Sequence, residues 1–254
     1  EVLRREYTLA GPVLEKAFAQ QAGFGWVGKN GCLINPQLGS YLFLGEILLD
    51  LPLAVDEPFT ADYCRSCSAC VKTCPTSCIL PDRTLESQRC ISYLTIEHRG
   101  VIPPEQHNHI GSWLFGCDQC QDVCPWNQRF SHPTSEPAFQ IRESYSNLKL
   151  SDILTLDRQK YLETFRRSPI KRARLDGLLR NALILAGNNP QPELLPLVGE
   201  YLDRKWSCTL RMHAAWSLEK FQRADALPLL NRALQLEDDP GVRETLLQAL
   251  HRLA

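Results

Sequence analysis

The chain has 254 residues, 28 basic against 29 acidic, with 44% of residues hydrophobic. That length suits one large domain or two ordinary ones. The near-balance of charge excludes a global field for nucleic acid or membrane, so either would need a local patch. No apolar run reaches the roughly 18 residues of a transmembrane helix, and no membrane partner is expected.

Residues 12–22 predict a short helix, with Pro12 in its first turn, apolar residues at Val13, Leu14, Ala17 and Phe18, and Gly23 as its stop. Gly23, Gly25, Gly28 and Gly31 then form a glycine-rich stretch around Lys29. It allows close backbone approach, to a phosphate or a cofactor side chain, with Lys29 supplying charge; a plain glycine-rich turn is the preferred reading. Residues 32–35 and 40–50 predict two strands joined by a turn at Asn35–Gly39.

Eleven cysteines follow an uneven distribution. The chain is too long to need disulfide staples, and tight clustering reads as metal sites in a reducing cytoplasm. Cys64, Cys67, Cys70 and Cys74-Pro75 make C-x2-C-x2-C-x3-C-P, the bacterial ferredoxin spacing. Cys117, Cys120 and Cys124-Pro125 repeat it without the first cysteine, which Cys90 can replace. Because the fourth cysteine of such a run serves the other cluster, two [4Fe–4S] clusters are predicted. Cluster one takes Cys64, Cys67, Cys70 and Cys124; cluster two takes Cys74, Cys90, Cys117 and Cys120. Zinc is the competing reading, since C-x2-C pairs also build zinc knuckles, but zinc does not require two interlocked C-P ends. Cys78 is expected to be a buried spectator, and Cys32 and Cys208 apolar fillers.

Residues 136–170 are expected to link the cluster segment to a helical end. Residues 166–180 hold six basic residues and one acidic. This is the local patch that the neutral total conceals, a candidate for phosphate contact or a solvated helix start. From 174 onward the pattern is helical and repetitive: Leu179-Arg180, Leu210-Arg211 and Val242-Arg243 recur after 31 and 32 residues (210 − 179 and 242 − 210). Such pairs suit HEAT-like repeats, which bury their apolar faces only by stacking. The histidines, His98, His107, His109, His132, His213 and His251, show no convincing metal spacing and are expected at the surface or behind other ligands.

Several runs together resemble one family. They are Gly25-Trp26-Val27-Gly28-Lys29-Asn30, Leu33-Ile34-Asn35-Pro36, Leu44-Gly45-Glu46, Cys74-Pro75-Thr76, Arg89-Cys90-Ile91-Ser92-Tyr93 and Phe115-Gly116-Cys117-Asp118-Gln119-Cys120. The resemblance is to epoxyqueuosine reductase, a cobalamin-dependent family related to the reductive dehalogenases. It implies reduction of epoxyqueuosine to queuosine at the tRNA wobble position, with cluster two passing electrons to cobalt. Implied corrin contacts are Leu33, Leu44, Ser92, Cys117 and Asp118. Implied tRNA contacts are Arg166, Arg167, Lys171, Arg172 and Arg174. A low-potential donor such as flavodoxin or ferredoxin is implied, as are a monomer and a cytoplasmic location.

The implied fold is α+β in three parts. Residues 1–58 form part of a nitroreductase-like corrin-binding lobe whose N-terminal portion is expected to be absent. Residues 59–135 form a ferredoxin-like two-cluster domain, and residues 171–254 form HEAT-like helical repeats. In one place the chain departs from the family pattern: Leu9 stands where an aspartate proton donor is usual, and leucine cannot donate a proton. The alternatives are a dehalogenase-like corrinoid reductase and a non-catalytic electron-transfer or tRNA-binding protein.

Overall fold

A computed structural model describes residues 4–7 and 13–253. They form two compact units, residues 1–87 with 118–139 and residues 88–117 with 140–254. In chain order the elements are β1 (Arg4–Tyr7), α1 (Glu15–Gln21), β2 (Trp26–Val27), β3 (Leu33–Ile34), β4 (Glu46–Leu49) and α2 (Ala69–Thr73). Then come α3 (Ile91–Ile96), α4 (Pro104–Ile110), α5 (Gln119–Asp122), α6 (Pro125–Phe130), α7 (Glu143–Ser146), α8 (Leu150–Leu154) and α9 (Arg158–Thr164). The chain ends with α10 (Arg174–Asn188), α11 (Leu195–Glu200), α12 (Cys208–Leu218), α13 (Arg223–Leu236) and α14 (Pro240–Leu253).

In the first unit, α1 is shorter than the 12–22 expected, because Leu14 has a non-helical ψ of 69°. Its end is as predicted. Gly23 takes φ +74°, its N–H bonds the Gln20 carbonyl, and the Phe24 N–H reaches back to Ala19. That is a Schellman closure, which the missing Cβ makes inexpensive.

The two predicted strands do not pair with each other. β3 pairs antiparallel with β2, and β4 with β1, as two separate two-stranded sheets. The Asn35–Gly39 turn does close, through a bridge between its ends. Immediately after it, however, the Ser40 N–H is taken by Asn127 Oδ1 at 2.6 Å, which draws the chain away from a hairpin. Residues 40–45 consequently form no strand.

The glycine-rich stretch packs on its own chain. A Cβ at Gly25 would stand 2.2 Å from the Ile34 carbonyl oxygen, so glycine is what lets β2 lie against β3. Gly25→Ala is expected to cost roughly 1–3 kcal/mol, as overpacking does. A urea midpoint identical to that of the parent protein would exclude this role.

The second unit is helical. Residues 136–170 are not a bare linker. They carry α7, α8 and α9, and Ile153, Leu154, Leu156, Tyr161 and Phe165 join the core of the repeat helices. The apolar positions there are too widely spaced to stand out, yet side chains close the N-termini of α8 and α9. Asp157 accepts from the Lys160 N–H at 2.7 Å, and Asp152 from the Lys149 N–H at 2.8 Å.

The repeated aliphatic–arginine pair has a consistent use. Leu179, Leu210 and Val242 are buried, while each following arginine bonds main-chain carbonyls. Arg180 binds Leu94, His98 and Gly100; Arg211 binds Trp206; Arg243 binds Leu234 and Glu237. Arg211 also makes a fork-to-fork pair with buried Glu237, at 2.7 and 3.0 Å.

Residues 88–117 are fastened to α10 by polar side chains. Asn181 donates to the carbonyls of Thr95 (2.8 Å) and Leu114 (2.9 Å), and Asn188 to those of His107 (2.7 Å) and Gly111 (3.0 Å). Apolar contact among Ile91, Leu94, Ile102, Ile110, Ile184 and Trp216 completes the attachment. Among the described residues, no helix is long and apolar enough to cross a membrane.

Candidate iron–sulfur centre

Two features bring the first four thiols together. Proline after Cys124 keeps that cysteine extended (φ −68°, ψ 121°) and starts α6 at the next residue. Upstream, Arg65 takes φ 38°, which bends the loop so that the Cys67 N–H bonds the Cys64 carbonyl at 2.8 Å. Lys29 holds this bend, donating to the carbonyls of Arg65 (2.7 Å) and Cys67 (2.8 Å). Its charge therefore serves the cysteine loop, not a separate phosphate.

Cys64, Cys67, Cys70 and Cys124 line one cavity of about 260 Å³, together with Lys29, Tyr63 and Trp126. Among the described residues, no three His, Cys, Asp or Glu side chains converge on a single ion. The four thiols thus share the walls of one space. Burial, together with the neighbouring Cys64, Cys67 and Cys124, raises the Cys70 thiol above its usual range.

An aromatic wall borders the cavity. Trp26 meets Trp126 edge-on at 5.0 Å and Tyr63 edge-on at 5.2 Å, and it stacks on Phe59. Trp26 Nε1 donates to Cys64 Sγ at 3.4 Å. Asn30 donates to the Cys120 carbonyl at 3.3 Å, and buried Asn127 holds Ser40 and Gln121. The sequence assigned no role of their own to Trp26, Asn30 and Asn127. Their signal was present, since each is a polar or aromatic residue flanking a cysteine run or the glycine stretch.

Of the cluster-two set, Cys74 and Cys120 lie in the first unit, and Cys90 and Cys117 in the second. Cys74 ends α2 in an extended conformation, and Cys90 precedes α3 in the same way. Burial raises the Cys74 thiol, but hydrogen bonds from the Thr76 hydroxyl and from the amide and thiol of Cys78 outweigh it, and the net shift is downward. Cys78 is buried as expected. Cys208 is no apolar filler: it is exposed and donates to Asp239 at 3.3 Å.

The five implied corrin contacts are not gathered within one unit. Leu33 is only 4% exposed. Leu44 is half-buried and Asp118 exposed in the first unit; Ser92 and Cys117 are half-buried in the second. Leu9 lies outside the described residues.

The basic patch is real but has two faces. Arg166, Arg167, Lys171, Arg172 and Arg174 are exposed, around a 3-10 turn at Pro169–Ala173. Arg167 and Arg174, with φ of 54° and 60°, bend the chain on either side of it. Arg180, the sixth basic residue, points inward. Lys171, Arg174 and Arg180, with Arg99 and Arg158, line a cavity of about 610 Å³. Among the histidines, which were expected at the surface or behind other ligands, His107 and His213 are buried side by side in the helical unit.

Comparison with known proteins defines the class first. Residues 63–127 match the family model for a 4Fe-4S double cluster binding domain, and residues 175–251 match HEAT repeats. The chain thus joins a two-cluster iron–sulfur module to stacked helical repeats. More particularly, its sequence is similar to those of epoxyqueuosine reductases. It is 42% identical over 218 residues to the epoxyqueuosine reductase of Pseudomonas aeruginosa, covering 85% of this chain and 60% of that protein. It is 42% identical over 214 residues to that of Xanthomonas campestris, covering 84% and 60%.

A crystal structure of selenomethionine-labelled epoxyqueuosine reductase superposes with a TM-score of 0.93 at 28% identity, covering 100% of this chain and 67% of that one. Another, of epoxyqueuosine reductase with a tRNA-Tyr epoxyqueuosine-modified tRNA stem loop, gives 0.88 at 27%, covering 99% and 66%. The chain spans about three fifths of the length of these curated relatives.

Proposed function

We propose that the chain is the cluster-bearing and tRNA-binding portion of an enzyme that reduces epoxyqueuosine to queuosine in tRNA. The observation that carries this is the single cavity shared by Cys64, Cys67, Cys70 and Cys124, in a chain similar in sequence to epoxyqueuosine reductases. These four thiols would hold cluster one; Cys74, Cys90, Cys117 and Cys120 would hold cluster two. When bound, the clusters supply electrons one at a time. The chain's own residues shape their surroundings. Lys29 and Arg65 fix the cysteine loop, and Trp26, Tyr63 and Trp126 exclude water from one side of it.

Cobalamin is the acceptor that the family implies, with residues 1–58 as part of the lobe that binds it. Of the residues that the family implies around it, half-buried Leu44 and exposed Asp118 are the more accessible in the first unit, and Leu33 is buried. The tRNA would meet the exposed Arg166, Arg167, Lys171, Arg172 and Arg174 through its phosphates, a cytoplasmic role.

Two measurements test this reading. Reconstitution with iron, sulfide and cobalamin, followed by epoxyqueuosine-containing tRNA and a low-potential reductant, should yield queuosine; none from the complete gene product would overturn it. For the patch, Lys171→Ala and Arg174→Ala should each weaken tRNA binding and lower the salt slope by about one. An unchanged slope would remove these residues from the interface.

A further inference from the structure

Cys78 belongs to neither ligand set, yet its thiol is in contact with one of them. Its Sγ lies 3.5 Å from Cys74 Sγ, and Thr76 Oγ1 lies 3.5 Å from the same sulfur. Cys78 and Thr76 are 2% and 3% exposed, so water does not compete for either group. The backbone fixes their position. Ser77, at φ 50°, closes a turn on the Cys74 carbonyl. The Glu86 N–H bonds the Cys78 carbonyl at 2.9 Å, and an Ile79–Leu85 bridge secures the loop beyond.

A thiolate bound to iron has no proton to give. Once Cys74 is a ligand, the hydrogen bonds can run only one way, from the Cys78 S–H and the Thr76 O–H to the Cys74 sulfur. We propose that Cys78 is a positioning residue that, with Thr76, donates to the Cys74 ligand and raises the reduction potential of cluster two. The sign follows from charge. Reduction adds an electron to the cluster, and donors to its sulfurs stabilise the more negative, reduced form. Cluster one has a separate donor, the Trp26 indole on Cys64, so the two clusters can be tuned independently. The inference rests on Cys74 being a cluster ligand.

The test is an EPR-monitored redox titration of the reconstituted full-length protein, with iron and sulfide content measured on the same samples. Cys78→Ala should shift one of the two clusters to lower potential and leave the other in place. Thr76→Val should move the same cluster the same way. Cys78→Ser, which keeps an O–H donor, should lie closer to the parent protein than Cys78→Ala does.

If both clusters assemble in Cys78→Ala and neither potential moves, Cys78 has no such role. A drop in Cys78→Ser as large as in Cys78→Ala would also overturn it, because loss of packing and not of a donor would then be responsible. Failure of the parent protein to take up two clusters would instead count against Cys74 as a ligand, and metal content separates that result from the others.

Discussion

Arg180→Ala is expected to destabilise the helical unit by roughly 3–5 kcal/mol, from carbonyls left unsatisfied and a cavity left in the core. The guanidinium is 1% exposed and binds the carbonyls of Leu94 (2.7 Å), His98 (3.0 Å) and Gly100 (3.0 Å), with Asn181 Oδ1 at 3.0 Å. Burial and the nearby Arg99 lower its pKa to about 10, which still leaves it charged at neutral pH.

Truncation strands the buried Leu94 carbonyl and removes the partner of two part-buried ones, His98 and Gly100. The melting temperature should fall by about 10 °C, given about 2–4 °C per kcal/mol for a unit of this size. Amide exchange should accelerate first in residues 94–100. Arg180→Lys should recover only part of the loss, since one ammonium cannot reproduce the planar fork. A melting curve superimposable on the parent's would refute the assignment. The same attachment fixes the segment carrying Cys90 and Cys117 to α10, so the variant should also take up less iron.

The helical unit is also expected to lose stability between pH 6.5 and about 4, before its carboxylates titrate. His107 and His213 are buried with ring centroids 5.1 Å apart. Burial lowers His107 to about 4 and His213 to about 3, with Lys220 and Arg180 adding repulsion at the first and His107, Arg180 and His98 at the second. The hydrogen bonds agree with neutral rings: His213 Nδ1 donates to the Thr209 carbonyl at 2.7 Å, while its Nε2 accepts from the Ile102 N–H at 3.3 Å. His107 Nε2 donates to the Ile102 carbonyl at 2.9 Å.

The folded pKa values lie below the unfolded value of about 6.5. Above that pH both states are neutral and nothing is lost. As pH falls the unfolded chain binds protons that the folded chain refuses, so stability declines through 6.5 and levels off only below the folded values. For His107 the full effect is on the order of 3 kcal/mol, at about 1.4 kcal/mol per pH unit. Lowered carboxylates such as Asp239 lose their contribution only below about 4, so the upper part of the window belongs to the histidines. Urea unfolding at pH 7.5, 6 and 5 reads this directly. A flat profile, or a His107 imidazole that titrates near 6.5 by NMR, would exclude it.

The cysteine runs were the most legible part of the molecule. Their spacing is local, and a C-x2-C bend depends on residues within one turn of chain. The Gly23 helix stop and the repeated Leu-Arg pairs were readable for the same reason. Pairing of the strands was not, because β3 and β4 each chose a partner distant from the Asn35–Gly39 turn, and a side chain from residue 127 decided where Ser40 went. The linker reading failed at 136–170, where isolated apolar residues mattered only because helices far along the chain offered them a core.

The thiols are thus determined by sequence alone, in identity and in order. What only the tertiary structure decided is their surroundings: the Trp26 indole on Cys64, the Cys78 and Thr76 contacts on Cys74, and the inward turn of Arg180 from an otherwise exposed basic run. A hydrogen bond or a burial depends on which distant segment arrives beside a residue. Composition and spacing describe the residue, and they are silent about its neighbours.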